Sequence, residues 1–422
     1  MLATVLLLHG TINLSATSTA VLGLIVIPIY GVMAALVGWI VGMITARVVA
    51  SAHLRRRLAF VCLIVGSLAA TGYVVYATHV TAWREARFPS VSVDTLPISK
   101  RDLSGCCPPG TIVRLRIGNF DTDPDPEIVV LGPRWVALLE ADTYRQTQLL
   151  DLMKAQCHHV CLGMYPDLVP DGTGGFVIVS ANGLVDQNGR LRWAFGGHFV
   201  DSIVPLRTPG DSRPSIFVSS RGDRLERRDL DGKELWSVAL SASRIGKYSG
   251  PDGQGVLAAL STASPNHNMA LLIDQDGKTI KQLAPPIWAS EVQEISWPSP
   301  SHLLVGNAGK FLILDHQGTV VFQHSLEALS FDPYHGPEGA AVRLAPSSPP
   351  YLAVVSHGSS GYPRSVLMIF NPAGEVLWQE AMPKVRSLLA VETGDGLEAL
   401  LVGGQVGLTE YRLVPAAART SN

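Results

Sequence analysis

Acidic side chains are missing from the start of this 422-residue chain: Glu85 is the first, and Lys100 is the first lysine. Residues 1–83 carry four charges, all arginine: Arg47, Arg55, Arg56 and Arg57. So long a stretch without acids is not a solvated face of an ordinary globular domain. The rest of the chain holds 29 basic and 35 acidic residues and is mildly acidic. It has no basic stripe to neutralise phosphates, which argues against nucleic-acid binding. A hydrophobic share of 47% excludes a disordered chain. The usual catalytic signatures are also missing: no G-x-S-x-G, no H-E-x-x-H, no Walker A loop and no Rossmann fingerprint. His198, His267, His302, His324, His335 and His357 are scattered, and each reads as a surface or structural histidine.

Two uncharged runs are long enough to cross a bilayer, Thr19–Thr45 and about Leu58–Thr78. A span needs roughly 20 apolar residues, and both supply them. The first run is too long for a signal-peptide core and lacks a basic leader, so both helices are expected to be retained. The four arginines lie between the runs, whereas only Arg84 and Arg87 follow the second. The positive-inside bias places that connecting loop in the cytoplasm and both termini outside. The expected organisation is an external lead-in at 1–18, a transmembrane hairpin at 19–80, a linker with a possible ring-closing strand at 81–111, a repeat domain at 112–414 and a disordered tail at 415–422.

Only five cysteines are present. Cys62 lies in the second hydrophobic run. Cys106, Cys107, Cys157 and Cys161 form two close pairs in the body, and an even count outside the cytoplasm suggests disulfides. Pairing between the 106/107 and 157/161 clusters is the first choice, with connectivity open. Cys157-His-His-Val-Cys161 has neither a common zinc spacing nor the C-x-x-C-H of a haem site.

From about residue 90 no useful helical periodicity remains. Short Val/Ile/Leu runs alternate with Gly/Pro/Asp/Ser turns, an all-β pattern. One element, a polar turn followed by a buried strand, recurs at 123–132, 171–180, 211–220, 252–261, 299–308, 347–356 and 395–404. A second element places an Asp- or Asn-led turn ending in Gly before a strand, with an aromatic four places after the Gly: DQNGRLRW (186–193), DLDGKELW (229–236), DHQGTVVF (315–322) and NPAGEVLW (371–378). In DQDGKTIK (274–281) Lys281 breaks the aromatic position. Repeats of this length with four short strands each predict a seven-bladed β-propeller. The last unit has three strands, and Ser90–Ile98 is expected to supply its fourth.

The element IGNFDTDPDPEIVV (117–130) resembles FG-GAP/VCBS propeller repeats, and the D-x-x-G-x-x-x-W elements resemble those of quinoprotein-like (PQQ-like) propellers. The resemblance spans about residues 112–413. It implies Ca²⁺ ligands at Asn119, Asp121, Asp123, Asp125 and Glu127, the Asp125 carbonyl among them; alternating oxygen donors suit that hard cation. Pro124 stands where such loops usually carry a Gly. The family hosts scaffolds and enzymes alike. The sequence therefore predicts an all-β seven-bladed propeller after a two-helix transmembrane hairpin, in a cell (inner) membrane with its body periplasmic or extracellular. Its expected role is to bind a protein or glycan partner. The alternative is a quinoprotein-like dehydrogenase or a hydrolase at the central funnel.

Overall fold

The computed structural model describes the short strand Val91–Ser92 and residues 98–413, apart from 121–122, 124, 153–166, 172–174, 181–182, 196–199, 209–210, 221–223, 251–255, 262–268, 308, 327–335, 345–347, 358–363 and 394–396. The lead-in 1–18, the hairpin 19–80, the tail 415–422, Asp121, Cys157 and Cys161 lie outside the described residues. Among the described residues no helix is long and apolar enough to cross a membrane.

The chain enters through β1 (Val91–Ser92) and β2 (Ile98–Asp102). Blade 1 follows as β3 (Arg114–Gly118), β4 (Glu127–Leu131), β5 (Trp135–Glu140) and β6 (Gln146–Asp151). Blade 2 is β7 (Asp167–Pro170), β8 (Phe176–Ser180), β9 (Gly183–Asp186) and β10 (Leu191–Ala194). Blade 3 is β11 (Val200–Leu206), β12 (Ser215–Ser220), β13 (Arg224–Arg228) and β14 (Glu234–Ala239). Blade 4 is β15 (Ala242–Tyr248), β16 (Val256–Ser261), β17 (Met269–Ile273) and β18 (Thr279–Leu283). Blade 5 is β19 (Glu291–Ile295), β20 (His302–Asn307), β21 (Lys310–Leu314) and β22 (Val320–Ser325). Blade 6 is β23 (Glu338–Val342), β24 (Tyr351–His357), β25 (Arg364–Phe370) and β26 (Val376–Pro383). Blade 7 is β27 (Val385–Glu392), β28 (Glu398–Gly404) and β29 (Gly407–Leu413).

Each blade is an antiparallel sheet, and the innermost strands β3, β7, β11, β15, β19, β23 and β27 contact one another in a closed circle. The seven-bladed propeller is the fold. Its ring closes differently from the sequence expectation. The fourth strand of blade 7 is β2, not Ser90–Ile98: Ile98 pairs with Leu413 and Asp102 with Thr409. β1 instead adds a fifth strand to blade 6, Val91 opposite Gln379. The alternation in SVSVDTLPI marks the earlier segment as strand-like. The closing strand ISKRD is mostly exposed and polar, so hydrophobicity could not mark it. Backbone pairing and the clasp around Lys100, described below, hold it instead.

The second strand of each blade reads as an uninterrupted apolar run because its alternate side chains serve two different cores. In β20, Leu303 and Val305 pack toward blade 4 while Leu304 packs toward blade 6. In β4, Ile128 and Val130 face blade 7 while Val129 and Leu131 face blade 2. The core is thus seven apolar clusters, one per blade junction. Between blades 5 and 6 it is aromatic: Phe311, Phe322, Phe370 and Trp297 meet at tilted or edge-on angles. Phe311 is fully buried. Phe311→Ala is expected to lose about 3–5 kcal/mol in denaturant unfolding, since the neighbours cannot all collapse into the void.

Five last hairpins share one turn. Asp186, Asp229, Asp274, Asp315 and Asn371 each accept two backbone N–H bonds on a side-chain oxygen, from residues two and four further on. The Gly in each has φ between +76° and +88°, a conformation that costs other residues. Gly232, Gly277 and Gly374 also lie under the aromatic of the preceding blade, and Gly318 lies under Leu283. A Cβ on Gly232 would sit 2.7 Å from Trp193 Cγ. Gly232→Ala should therefore cost about 1–3 kcal/mol of unfolding free energy.

The indole of Trp193 donates to Leu230 O at 3.2 Å, and that of Trp236 donates to Gln275 O at 2.7 Å. Each acceptor lies two residues before the Gly of the next blade. Lys281, which breaks the aromatic pattern, serves the same junction: its Nζ donates to His316 O at 3.0 Å. Trp378 is the exception. Blade 7 draws its outer strand from the other end of the domain, so no such turn exists to receive the indole. Trp378 Nε1 is buried without a hydrogen-bond partner among the described residues. Its ring instead faces the Lys100 ammonium at 5.1 Å, which also lies 5.6 Å from the Tyr411 ring and 2.5 Å from Glu380.

Candidate functional site

The first and third residues of several innermost strands bring charged or amide side chains to the axis. Arg114 and Arg116 come from β3, Asp167 from β7, Arg244 from β15, Glu291 and Gln293 from β19, and Glu338 from β23. Most of these charges are locked between neighbouring blades. Arg116 grips Asp167 with two bonds, Nε to Oδ1 at 2.8 Å and a terminal nitrogen to Oδ2 at 2.6 Å. Burial alone would push the Asp167 carboxyl up, but Arg116 and Arg114 outweigh it and hold it below the usual carboxylate range. Arg244 donates to Asp201 O at 3.0 Å and lies 3.6 Å from Glu291.

The same third position also joins blades through neutral groups. Ser202 Oγ accepts from Ile245 N at 3.2 Å. Gln293 exchanges two bonds with Gly339, and Ser387 Oγ accepts from Leu115 N at 3.1 Å. Such side chains substitute for the strand-to-strand hydrogen bonds that splayed inner strands cannot make, which accounts for polar residues in an otherwise apolar ring.

Glu338 and Arg114, like Arg244 and Glu291, lie further apart than Arg116 and Asp167. Arg114 approaches Glu338 Oε1 at 3.5 Å, and Ser387 Oγ donates to the same oxygen at 3.3 Å. Arg114 Nε is buried without a hydrogen-bond partner among the described residues. The Glu338 side chain is 16% exposed. Burial pushes its carboxyl up to about 7 against the pull of Arg114 and Arg116, and the Glu291 charge adds to the rise.

The calcium-type loop occupies the other end of β3, between β3 and β4. Its described donors are bonded within the loop. Glu127, 4% exposed, accepts from Phe120 N at 2.6 Å, and Asp123 Oδ1 accepts from Asp125 N at 2.9 Å. Asn119 turns its amide N–H onto the Asp123 carbonyl. A cation would have to displace these donors, and no group of three or more metal-ligating side chains converges among the described residues.

Among the described residues Cys106 and Cys107 have no disulfide partner; their sulfurs lie 3.3 Å apart, half-buried against the core between blades 7 and 1. The hydrogen bond from Cys107 lowers the Cys106 thiol below its ordinary value, and Cys107 is raised in turn.

Sequence reasoning missed the axial cluster. Its signal lies in register: when the units are superposed on their turn-strand elements, a charged or amide residue heads several of the preceding strands.

No protein-family model matches the chain, and no curated protein matches it. Solved structures are similar in shape. BBS1N in complex with ARL6DN, from a crystal soaked with lead, has 11% identity and a TM-score of 0.51 over 79% of this chain and 98% of that one. The same complex soaked with mercury gives 10% identity, a TM-score of 0.51, and 79% and 99% coverage. The Pan2 WD40 domain of Neurospora crassa has 9% identity and a TM-score of 0.48 over 76% and 97%. Such identities speak for the fold alone.

Proposed function

We propose that residues 19–80 hold the chain in a cell membrane and that the propeller stands on its outer side as a docking platform for a protein or glycan partner. The supporting observation is a row of exposed aliphatic side chains at one register position on three consecutive blades. Leu235, Ile280 and Val321, each three residues after the turn Gly, are 46%, 56% and 44% exposed. The three recur on the outermost strands β14, β18 and β22, and an apolar strip along that rim would serve recognition. BBS1N, of like fold, was crystallised with ARL6DN, which is consistent with a propeller that works by binding a protein.

A photoreactive residue at Ile280 should capture a discrete partner from native membranes, and Leu235→Ser/Ile280→Ser/Val321→Ser should lose it. Capture equal to that of a probe at the exposed Asp142 of blade 1 removes the reading. A reporter fused to Asn422 and active only outside the cell checks the orientation. The reading also carries Ca²⁺ at the Asn119–Glu127 loop, together with disulfides among Cys106, Cys107, Cys157 and Cys161. Calorimetric heat that Asp121→Ala/Asp123→Ala abolishes, and cross-linked peptides in a non-reducing digest, are the respective measurements.

A further inference from the structure

We infer that Cys106 and Cys107 form a redox-active dithiol that exchanges with external disulfides by closing a bridge between themselves. The inference sharpens the disulfide expectation above and is independent of docking at the rim. Its basis is geometric. The turn after β2 holds the pair: Asp102 Oδ1 accepts from Ser104 N at 2.8 Å and from Ser104 Oγ at 2.6 Å, and Cys106 N donates to Leu103 O at 2.9 Å. The two sulfurs face each other at 3.3 Å. Neither side chain is sealed in the core: both are half-buried, and Gly105 and Pro109 beside them are exposed. A Cβ added at Gly105 or Gly110 would meet nothing within 4 Å, so open space flanks the pair. Inert structural cysteines lie instead in closed apolar sites.

Adjacency in the chain decides what kind of bridge this is. Consecutive Cα atoms lie about 3.8 Å apart across a trans peptide. An ordinary disulfide spans about 4.4–6.8 Å between its Cα atoms. A bridge between neighbours closes below that range and is more readily reduced than a structural one. It also encloses no intervening residue, so it restricts the unfolded chain little and contributes little stability. The two thiols divide the chemistry. The hydrogen bond from Cys107 outweighs burial and favours the Cys106 thiolate, while Cys107 keeps its proton. The Cys106 thiolate attacks one sulfur of an external disulfide, forming a mixed disulfide and expelling one thiolate. Cys107 then releases its proton and attacks the Cys106 sulfur, which closes the Cys106–Cys107 bond and expels the second thiolate. The pair loses two electrons and two protons, and the external disulfide gains them as two thiols. External thiols reverse the sequence.

The test exposes the full chain in detergent, first reduced and then freed of reductant, to oxidised glutathione and separately to a short peptide closed by one disulfide. Peptide mapping after an acid quench is expected to show a Cys106–Cys107 bridge that reduced glutathione reopens. Reaction with glutathione alone assigns the exchange to a small disulfide, and reaction with the peptide extends it to a polypeptide. Cys107→Ser should stop at the mixed disulfide on Cys106. Cys106→Ser should slow adduct formation by about tenfold. The parent's peptide map decides by itself if either serine variant fails to unfold cooperatively. No bridge between the two with either oxidant, or a bridge from either to another cysteine, overturns the inference. So do adducts that form as fast on folded Cys106→Ser as on the parent. A bridge to Cys157 or Cys161 would leave the wider disulfide expectation standing, and capture through Ile280 is a separate measurement, so the readings fail separately.

Discussion

A chain that begins at residue 104, and so lacks β2, is expected to give little monomeric protein, whereas one that begins at residue 96 folds cooperatively. Without β2 the edge of β29 loses its partners from Ile98 to Asp102. Blade 7 is left with three strands and an open edge, a template for association with other chains. The loss also removes Leu103, which is buried and donates its N–H to Leu408 O at 2.9 Å, and the Lys100 contacts to Glu380, Trp378 and Tyr411. A deficit above about 5 kcal/mol would consume most of the stability of a typical domain. Size-exclusion chromatography and denaturant unfolding of the two chains provide the comparison. Equal midpoints would mean that β2 decorates the ring and does not close it. Lys100→Ala alone should cost far less, about 1 kcal/mol, because an ammonium over aromatic rings at a half-exposed site contributes only that much.

Glu338→Gln is expected to stabilise the propeller at pH 8.5 and to leave it nearly unchanged at pH 4. The folded-state value near 7 lies above the ordinary 4.5 of a glutamate, so the fold holds the proton more tightly than the unfolded chain does. The stability contributed by the protonated acid is complete below about 4.5 and is lost as pH rises through about 7. Above that, keeping the buried carboxylate ionised costs about 2–3 kcal/mol, which the amide avoids. Unfolding midpoints measured from pH 4 to 9 should fall for the parent across this window and stay flat for the variant. A parallel fall in both would assign the pH dependence to another group.

The fold was largely legible because its repeat is written in backbone chemistry. Asp or Asn before a φ-positive Gly, and an apolar run that serves two cores, leave signatures independent of neighbouring blades. Lys281 was legible only as an exception. That its Nζ replaces an indole N–H depends on a carbonyl in the next blade, which no local window contains. The closing strand was placed a few residues early, since ISKRD is held by pairing across more than 300 residues of chain. The axial cluster was hidden for a related reason. Glu338, Ser387 and Arg114 come from blades 6, 7 and 1, and only curvature brings the end of the repeat array back to its beginning.

The placement of β1 and β2 on different blades has a mechanical consequence. Tension transmitted from the N-terminal side meets the two-residue pairing of Val91 and Ser92 on blade 6 before it reaches the five-residue pairing on blade 7. The shorter strand acts as a fuse: it detaches first and adds slack while the wheel stays shut. The five pairs from Ile98 to Asp102 and the buried Leu103 then hold the circle shut.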